Sequence, residues 1–440
     1  MFMSPSPNSE SFAKSALFFL LAVFVAGCIG LRAQTAPPVG AKGTADVNKL
    51  LQIAQEELNN KRFGPAAEIL EKVVKLQPDF APAWFNLGYA YTALGRKDNA
   101  VTAYQKTLDL NPDLFQAQLN LGILLMEMKR APDAAPHLEK AANLKPDSGR
   151  AHLYYARALA AQGQTAKAEE QFEEVLRLEP SSAIAHFDLG QLYLNEKKFA
   201  EARDSFGKAA ELDPKLPQAQ LGLALAAEGL KQPEEAARHF ESYLTAQPDD
   251  AETRFHLAKI YRELNENDQA LASLEKVYQA KPDLPGLAAA LGDACALLGK
   301  FPESEKFYRL ALARTPGEPG LHRALGRTLL EEKKYTEAEA EFRAALKLDP
   351  RNRDAVKGLA SSVYLQKRYA DAIPIYEFLA KQPDSPGVYF LLATCYDHLH
   401  VVPKALENYE RYLELSHGKN PDQEWQATQR AKLLRDELKR

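Results

Sequence analysis

The chain has 440 residues, of which 46% are hydrophobic and 26% are charged, and its formal net charge is −4 at pH 7. This nearly neutral balance gives no global basic field, and it therefore argues against nucleic acid as a partner. A chain of this length would ordinarily form two or three domains, but an internal repeat through most of it predicts a single array instead.

Residues 1–33 have the pattern of an export signal. Lys14 precedes an uncharged, mostly apolar stretch over residues 15–31, and a basic residue followed by an apolar run and small residues is typical of such signals. Val25-Ala26-Gly27-Cys28 resembles the lipobox of bacterial lipoproteins, in which the cysteine is lipidated. Cleavage after Ala33 is an alternative, as are an uncleaved membrane anchor and an N-terminal helix of a cytosolic protein. Membrane contact is thus expected only through a lipid on the cysteine or through such an anchor.

Residues 34–46 follow this segment and contain Pro37, Pro38 and Gly40. Proline, glycine and small residues are typical of a linker. We therefore predict a flexible tether from residue 34 to residue 46.

From residue 47 to residue 418 the chain repeats with a period of 34 residues. Nine prolines mark the period: Pro78, Pro112, Pro146, Pro180, Pro214, Pro248, Pro282, Pro316 and Pro350. With Ala81 as position 1 of the second unit, the inward residues fall at positions 4, 7, 8 and 11 and again at 20, 24 and 27. Each set has the spacing of one helical face. Gly95, between the two sets, is expected to end the first helix in the left-handed conformation, and the proline stops the second.

Position 8 is always Gly or Ala and position 24 is always bulky, as in Gly88 and Tyr104, which predicts that two helices cross closely there. This pattern resembles the tetratricopeptide repeat. The resemblance implies an all-α fold, a right-handed α-solenoid of about eleven helix–turn–helix units. The tenth unit is one residue short before Pro383, and the eleventh has His417 where the closing proline is expected.

Residues 419–440 follow the last unit. Ala427, Ala431, Leu434 and Leu438 share a helical stripe there, and a terminal repeat needs a cover with a polar outer side. The segment is therefore predicted to be a C-terminal capping helix.

No catalytic or metal-binding motif occurs in the sequence: it has no Gly-rich phosphate loop, Cys-x-x-Cys, His-Glu-x-x-His or Gly-x-Ser-x-Gly. No catalytic residue, cofactor or metal site is predicted, and the chain is expected not to be an enzyme. His152, His186 and His322 recur at position 4, where packing in the core is the simpler explanation. Cys295 and Cys395 lie three units apart and are not expected to form a disulfide.

A second face of the first helices is the predicted binding surface. Positions 2, 5, 9 and 12 share it, and in tetratricopeptide repeats it lines the concave groove, so the resemblance implies that a peptide or helix binds there. The predicted groove residues are Phe85, Asn86, Tyr89, Leu119, Asn120, Ile123, Phe187, Phe255, Lys259, Arg262, Arg323, Arg327 and Lys357. The N-terminal members are mostly apolar and the C-terminal members mostly basic.

Two features of the N-terminal members are specific enough to test. Phe85 and Tyr89 are expected to be surface anchors whose removal weakens binding without unfolding the chain. Asn86 and Asn120 occupy position 6, where an amide offers both a donor and an acceptor to a peptide backbone.

The leading hypothesis is a non-enzymatic protein-interaction scaffold of the bacterial cell envelope, either periplasmic or anchored as a lipoprotein. Its partner would be another envelope protein or a peptide. Two alternatives are a self-assembling structural protein and a regulatory subunit of an enzyme acting on peptidoglycan or polysaccharide. The sequence leaves the oligomeric state open.

Overall fold

The computed structural model describes residues 41–381 and 386–439; the predicted signal at residues 1–33, Cys28 and Pro383 lie outside them. The described residues form 23 α-helices and no strand. Contact between residues divides the chain into two compact units, Met1–Ala226 and Ala227–Arg440. We call these units the N-terminal half and the C-terminal half.

The helices of the N-terminal half are α1 (Ala41–Asn59), α2 (Phe63–Leu76), α3 (Ala81–Ala93), α4 (Lys97–Leu110), α5 (Phe115–Glu127), α6 (Ala131–Leu144), α7 (Gly149–Ala161), α8 (Thr165–Leu178), α9 (Ala183–Asn195) and α10 (Phe199–Leu212). The boundary between the halves falls inside α11 (Pro217–Gly229). The C-terminal half continues with α12 (Pro233–Ala246), α13 (Ala251–Glu263), α14 (Asn267–Ala280), α15 (Leu287–Leu297), α16 (Phe301–Arg314), α17 (Pro319–Glu331), α18 (Tyr335–Leu348), α19 (Arg353–Leu365), α20 (Tyr369–Ala380), α21 (Pro386–His398), α22 (Val402–Ser416) and α23 (Pro421–Leu438). Odd-numbered helices up to α21 are the first helices of the repeats, and even-numbered helices are the second. The described chain is therefore an all-α solenoid of paired helices with a C-terminal helix.

The first helix starts earlier than the sequence pattern indicates. Helix α1 begins at Ala41, so the predicted tether is wrong for residues 41–46, which are helical. The physical reason is that residues 41–46 contain no proline, and the single Gly43 weakens a helix by only about 1 kcal/mol without breaking it.

A residue with positive φ follows the first helix of every repeat, always at position 15. These residues are Lys61, Gly95, Lys129, Gly163, Lys197, Lys231, Asn265, Gly299, Lys333, Lys367 and His400. Gly95 has φ +71°, which confirms the predicted left-handed turn. Most repeats, however, place a side chain in this conformation, which costs an L-residue about 1–2 kcal/mol.

The predicted interlock between positions 8 and 24 is confirmed in atomic terms. A Cβ added to Gly88 would lie 2.8 Å from the ring of Tyr104. One added to Gly122 would lie 2.5 Å from Leu138. The two helices of a repeat therefore cross at a distance that excludes any larger side chain unless the bulky residue moves.

Position 4 has a function in the fold that the sequence did not reveal. Trp84 donates from Nε1 to the carbonyl oxygen of Pro78 at 2.8 Å. The same bond to the proline six residues upstream is made by Gln118, His152, His186, Arg254 and His322. Each of the three histidines therefore links its own first helix to the loop that precedes it, in addition to packing beside the core.

The last helix covers the final repeat. Ala427, Ala431 and Leu434 are buried in the core of the C-terminal half. Leu438 is 49% exposed, so its assignment to the inner stripe is wrong. His417, which replaces the closing proline, ends α22 in the left-handed conformation with φ +46°.

Candidate peptide-binding face

Side chains at positions 2, 5, 6, 9 and 12 of the first helices meet those of the next repeat, and we call this surface the first-helix face. Three ion pairs join residues 31 apart along it. The pairs and their nitrogen–oxygen distances are Arg157–Asp188 at 2.6 Å, Arg262–Asp293 at 3.2 Å and Arg323–Asp354 at 3.0 Å. Each pair joins one repeat position to the position three lower in the following repeat, for example position 9 of one repeat to position 6 of the next. The face is therefore continuous within each half.

Four of the predicted groove residues are buried: Asn86 and three apolar residues. Phe85 is 0% exposed, and its ring packs on Tyr104 with the ring centroids 5.8 Å apart. Leu119 and Ile123 are 5% and 2% exposed. The prediction that Phe85 is a surface anchor is wrong, because its side chain is buried and packs on the second helix of its own repeat.

Tyr89 and Phe187 lie between core and surface. Tyr89 is half-buried, and its ring meets the edge of Phe63 with centroids 5.9 Å apart. Phe187 is also half-buried and packs on Phe206 at 5.6 Å. Both residues are therefore partly exposed, whereas Phe85 is fully buried.

The amides at position 6 differ in their surroundings. Asn120 is partly exposed; burial raises the pKa of Tyr104, and side-chain hydrogen bonds with Thr92 and Asn120 act in the opposite direction. Asn86 is only 1% exposed, and neither its Nδ2 nor its Oδ1 has a hydrogen-bond partner.

Gln55 was not singled out from the sequence. Its Oε1 is also buried without a partner, although its Nε2 donates to Asn59. Gln55 and Asn86 are 31 residues apart, like the ion pair of Arg157 with Asp188 and at the same repeat positions. A search of the sequence for polar residues 31 apart, at position 9 of one repeat and position 6 of the next, would have brought Gln55 and Asn86 together.

The C-terminal half carries the predicted cations. Lys259 is exposed, and its Nζ lies 4.6 Å from the centroid of the Phe255 ring. Arg262 shares the carboxylate of Asp293 with Tyr308, whose hydroxyl donates to Oδ1 at 2.6 Å. Burial, followed by the bond to Asp293, raises the pKa of Tyr308, so the phenol remains a proton donor at neutral pH.

Arg327 and Lys357 are exposed, and within the described ranges neither lies within ion-pair distance of a carboxylate. The 31-residue spacing places Arg327 beside Gly358, the neighbour of Lys357. Two cations without partners therefore lie on consecutive first helices, α17 and α19.

The remaining chemistry-bearing groups are structural. Cys295 and Cys395 are buried free thiols, and burial raises their pKa values to about 11 and about 12, so they stay protonated and unreactive. In the described part of the chain, no cluster of His, Cys, Asp or Glu is arranged to hold a metal ion. The helices that the structure describes include none with the length and apolar character needed to cross a bilayer.

More than half of the chain matches family models described as tetratricopeptide repeat. Residues 81–114 match one model, and a second matches residues 119–172, 156–217, 188–251, 221–285, 255–319 and 323–386. The chain therefore belongs to the tetratricopeptide repeat family. Repeats of this family generally bind other proteins or peptides.

Three solved structures of similar proteins each match less than half of the chain. MamA from Desulfovibrio magneticus is 25% identical over 39% of this chain and 96% of its own, with a TM-score of 0.37. YrrB, described as a TPR protein with an unusual peptide-binding site, is 20% identical over 43% of this chain and 97% of its own, with a TM-score of 0.38. PilW, a type IV pilus biogenesis factor, is 22% identical over 46% and 94%, with a TM-score of 0.40. The comparison with curated proteins gave no significant match.

Proposed function

We propose that this chain is a non-enzymatic scaffold of the bacterial cell envelope that binds a peptide or helix of another protein along the first-helix face. Membership of the tetratricopeptide repeat family supports the general part of this proposal, since such repeats are typically scaffolds. The observation that carries it is the continuity of the face, in which side chains 31 residues apart meet from one repeat to the next. A continuous row of this kind suits an extended ligand that crosses several repeats.

The N-terminal half offers hydrogen bonds to such a ligand. Asn86 has an unpaired donor and an unpaired acceptor, and Gln55 has an unpaired acceptor. A buried polar group without a partner costs about 1–3 kcal/mol. A peptide backbone that supplies both partners would recover this energy.

Site-specific photocrosslinking tests this binding site. A benzophenone amino acid at Tyr89 should capture a protein partner in cells, whereas the same group at Gln105, exposed on second helix α4, should not. Asn86→Leu should abolish capture at residue 89 and leave the melting temperature unchanged or higher, because it removes an unpaired buried amide of similar volume. Equal capture at both positions, or capture that survives Asn86→Leu in a folded protein, would place the site elsewhere.

The envelope location rests on the predicted export signal of residues 1–33. Cell fractionation should find the protein in the membrane fraction, and Cys28→Ser should release it to the periplasm if the cysteine is lipidated. A protein that is already soluble in the periplasm and unaffected by Cys28→Ser would support cleavage after Ala33 instead. Full-length protein in the cytosol would contradict export altogether.

A further inference from the structure

Five cations of the C-terminal half lie on the first-helix face, and we call them the basic strip. They are Lys259, Arg262, Arg323, Arg327 and Lys357. All except Arg323, which is partly exposed, are exposed to solvent. The same face also carries Asp293 and Asp354, and each of these carboxylates pairs with an arginine of the strip.

Two members of the strip have partners on the same face. Arg262 pairs with Asp293 at 3.2 Å and Arg323 pairs with Asp354 at 3.0 Å. The side chains of both pairs are more than a third exposed, and such pairs contribute little to stability. Both arginines can therefore exchange their carboxylate for that of a ligand at small cost.

The other three members have no carboxylate to exchange. Arg327 and Lys357 have no ion-pair partner among residues 41–381 and 386–439, and Lys259 rests over the ring of Phe255. Arg327 and Lys357 also occupy neighbouring first helices, where like charges repel each other. This arrangement does not stabilise the fold, whereas an anionic ligand would meet two cations that already lie on neighbouring helices.

We propose that the basic strip binds an extended, acidic segment of a partner protein. This proposal rests on the proposed function and specifies the partner's chemistry. First helices of neighbouring repeats lie about 10 Å apart. A peptide in the extended polyproline II conformation has three residues per turn and rises about 3.1 Å per residue, so acidic residues at every third position share one side of the peptide about 9 Å apart. Two such residues would therefore meet Arg327 and Lys357 on the neighbouring first helices α17 and α19.

A synthetic peptide with glutamate at every third position, separated by serine and glycine, is the direct probe. Fluorescence anisotropy should show binding to the full chain that weakens as salt is raised, and a peptide with glutamine in place of glutamate should not bind. Arg327→Gln with Lys357→Gln should weaken binding about tenfold, the loss of two exposed ion pairs. The matched control, Lys276→Gln with Lys347→Gln, removes two exposed lysines on second helices and should leave affinity unchanged.

The results separate this proposal from the broader one. Equal binding of the glutamine peptide, an equal effect of both double variants, or equally tight binding of single-stranded DNA would overturn the acidic-peptide proposal. None of these outcomes affects crosslinking at Tyr89, which tests the proposed function independently. Circular dichroism of each variant should show unchanged melting, since all four substituted side chains are exposed.

Discussion

Arg157 and Asp188 lie on the first helices of consecutive repeats and form an ion pair in which Nε donates to Oδ2 at 2.6 Å. The arginine also lies over Tyr154, with its guanidinium 5.2 Å from the ring centroid. Burial alone would lower the pKa of Arg157, but the carboxylate of Asp188 outweighs it and the pKa is raised. The pair therefore joins two repeats through a partly desolvated contact.

A double-mutant cycle should detect this contact. Asp188→Ala leaves the guanidinium without its partner and should destabilise the protein by about 2–3 kcal/mol. Adding Arg157→Ala should cost less than the sum of the single changes, with a coupling of about 1–2 kcal/mol by urea unfolding. The same cycle on the more exposed pair Arg262–Asp293 should give below about 1 kcal/mol. Equal couplings would show that burial of the first pair has no energetic effect.

Phe85→Ala should lower the free energy of unfolding of the protein. The ring is fully buried against Tyr104, and truncating a buried phenylalanine costs about 3–5 kcal/mol. Leu87→Ala, also in the core, should cost a similar 2–5 kcal/mol, whereas Tyr89→Ala at the half-buried position should cost less. Thermal unfolding followed by circular dichroism ranks the three. A Phe85→Ala protein that melts like the parent would restore its assignment as a surface residue.

The sequence predicted the helical repeat, its crossing contacts and the C-terminal helix because each depends on a strong local signal. Gly88 opposite Tyr104 is such a signal, since a Cβ added to Gly88 would lie 2.8 Å from the tyrosine ring. The burial of Phe85 could not be predicted in the same way. Helical periodicity assigns it to a second face, but whether that face is open depends on the neighbouring repeat. The unpaired amide of Asn86 likewise becomes visible only once its surroundings are known.

A glycine at position 15 should stabilise repeats that now have another residue there. Lys333 has φ +60°, a conformation that costs an L-residue about 1–2 kcal/mol. Glycine avoids this strain but loses more backbone entropy on folding, so Lys333→Gly should raise stability by about 0.5–1 kcal/mol. Gly299→Ala, at the same position with φ +70°, should lower it by a similar amount. Opposite signs in chemical denaturation would support the strain argument, and a loss of stability in Lys333→Gly would refute it.

Stability should fall in acid partly through Glu305. Burial raises the pKa of this carboxyl, but hydrogen bonds from Lys334 and Arg309, at 2.6 and 2.7 Å, prevail and lower it to about 2. A group whose pKa is depressed by folding stabilises the native state above its unfolded pKa of about 4.3. That contribution should disappear as the pH falls from about 4.5 to about 2. Because both cations are more than a third exposed, solvent screening limits the effect to about 1–2 kcal/mol.

Glu305→Gln isolates this carboxylate from the others that titrate in the same range. The variant should be less stable than the parent at neutral pH, and the difference between them should shrink as the pH approaches 2. Glu410→Gln is a suitable control, since Glu410 forms a more exposed pair with Arg435 and should change the pH profile little. Denaturant midpoints measured across the range give both curves. If the stability difference between the parent and Glu305→Gln is the same at every pH, the charge of this carboxylate contributes nothing to stability, and only the shape of the side chain does.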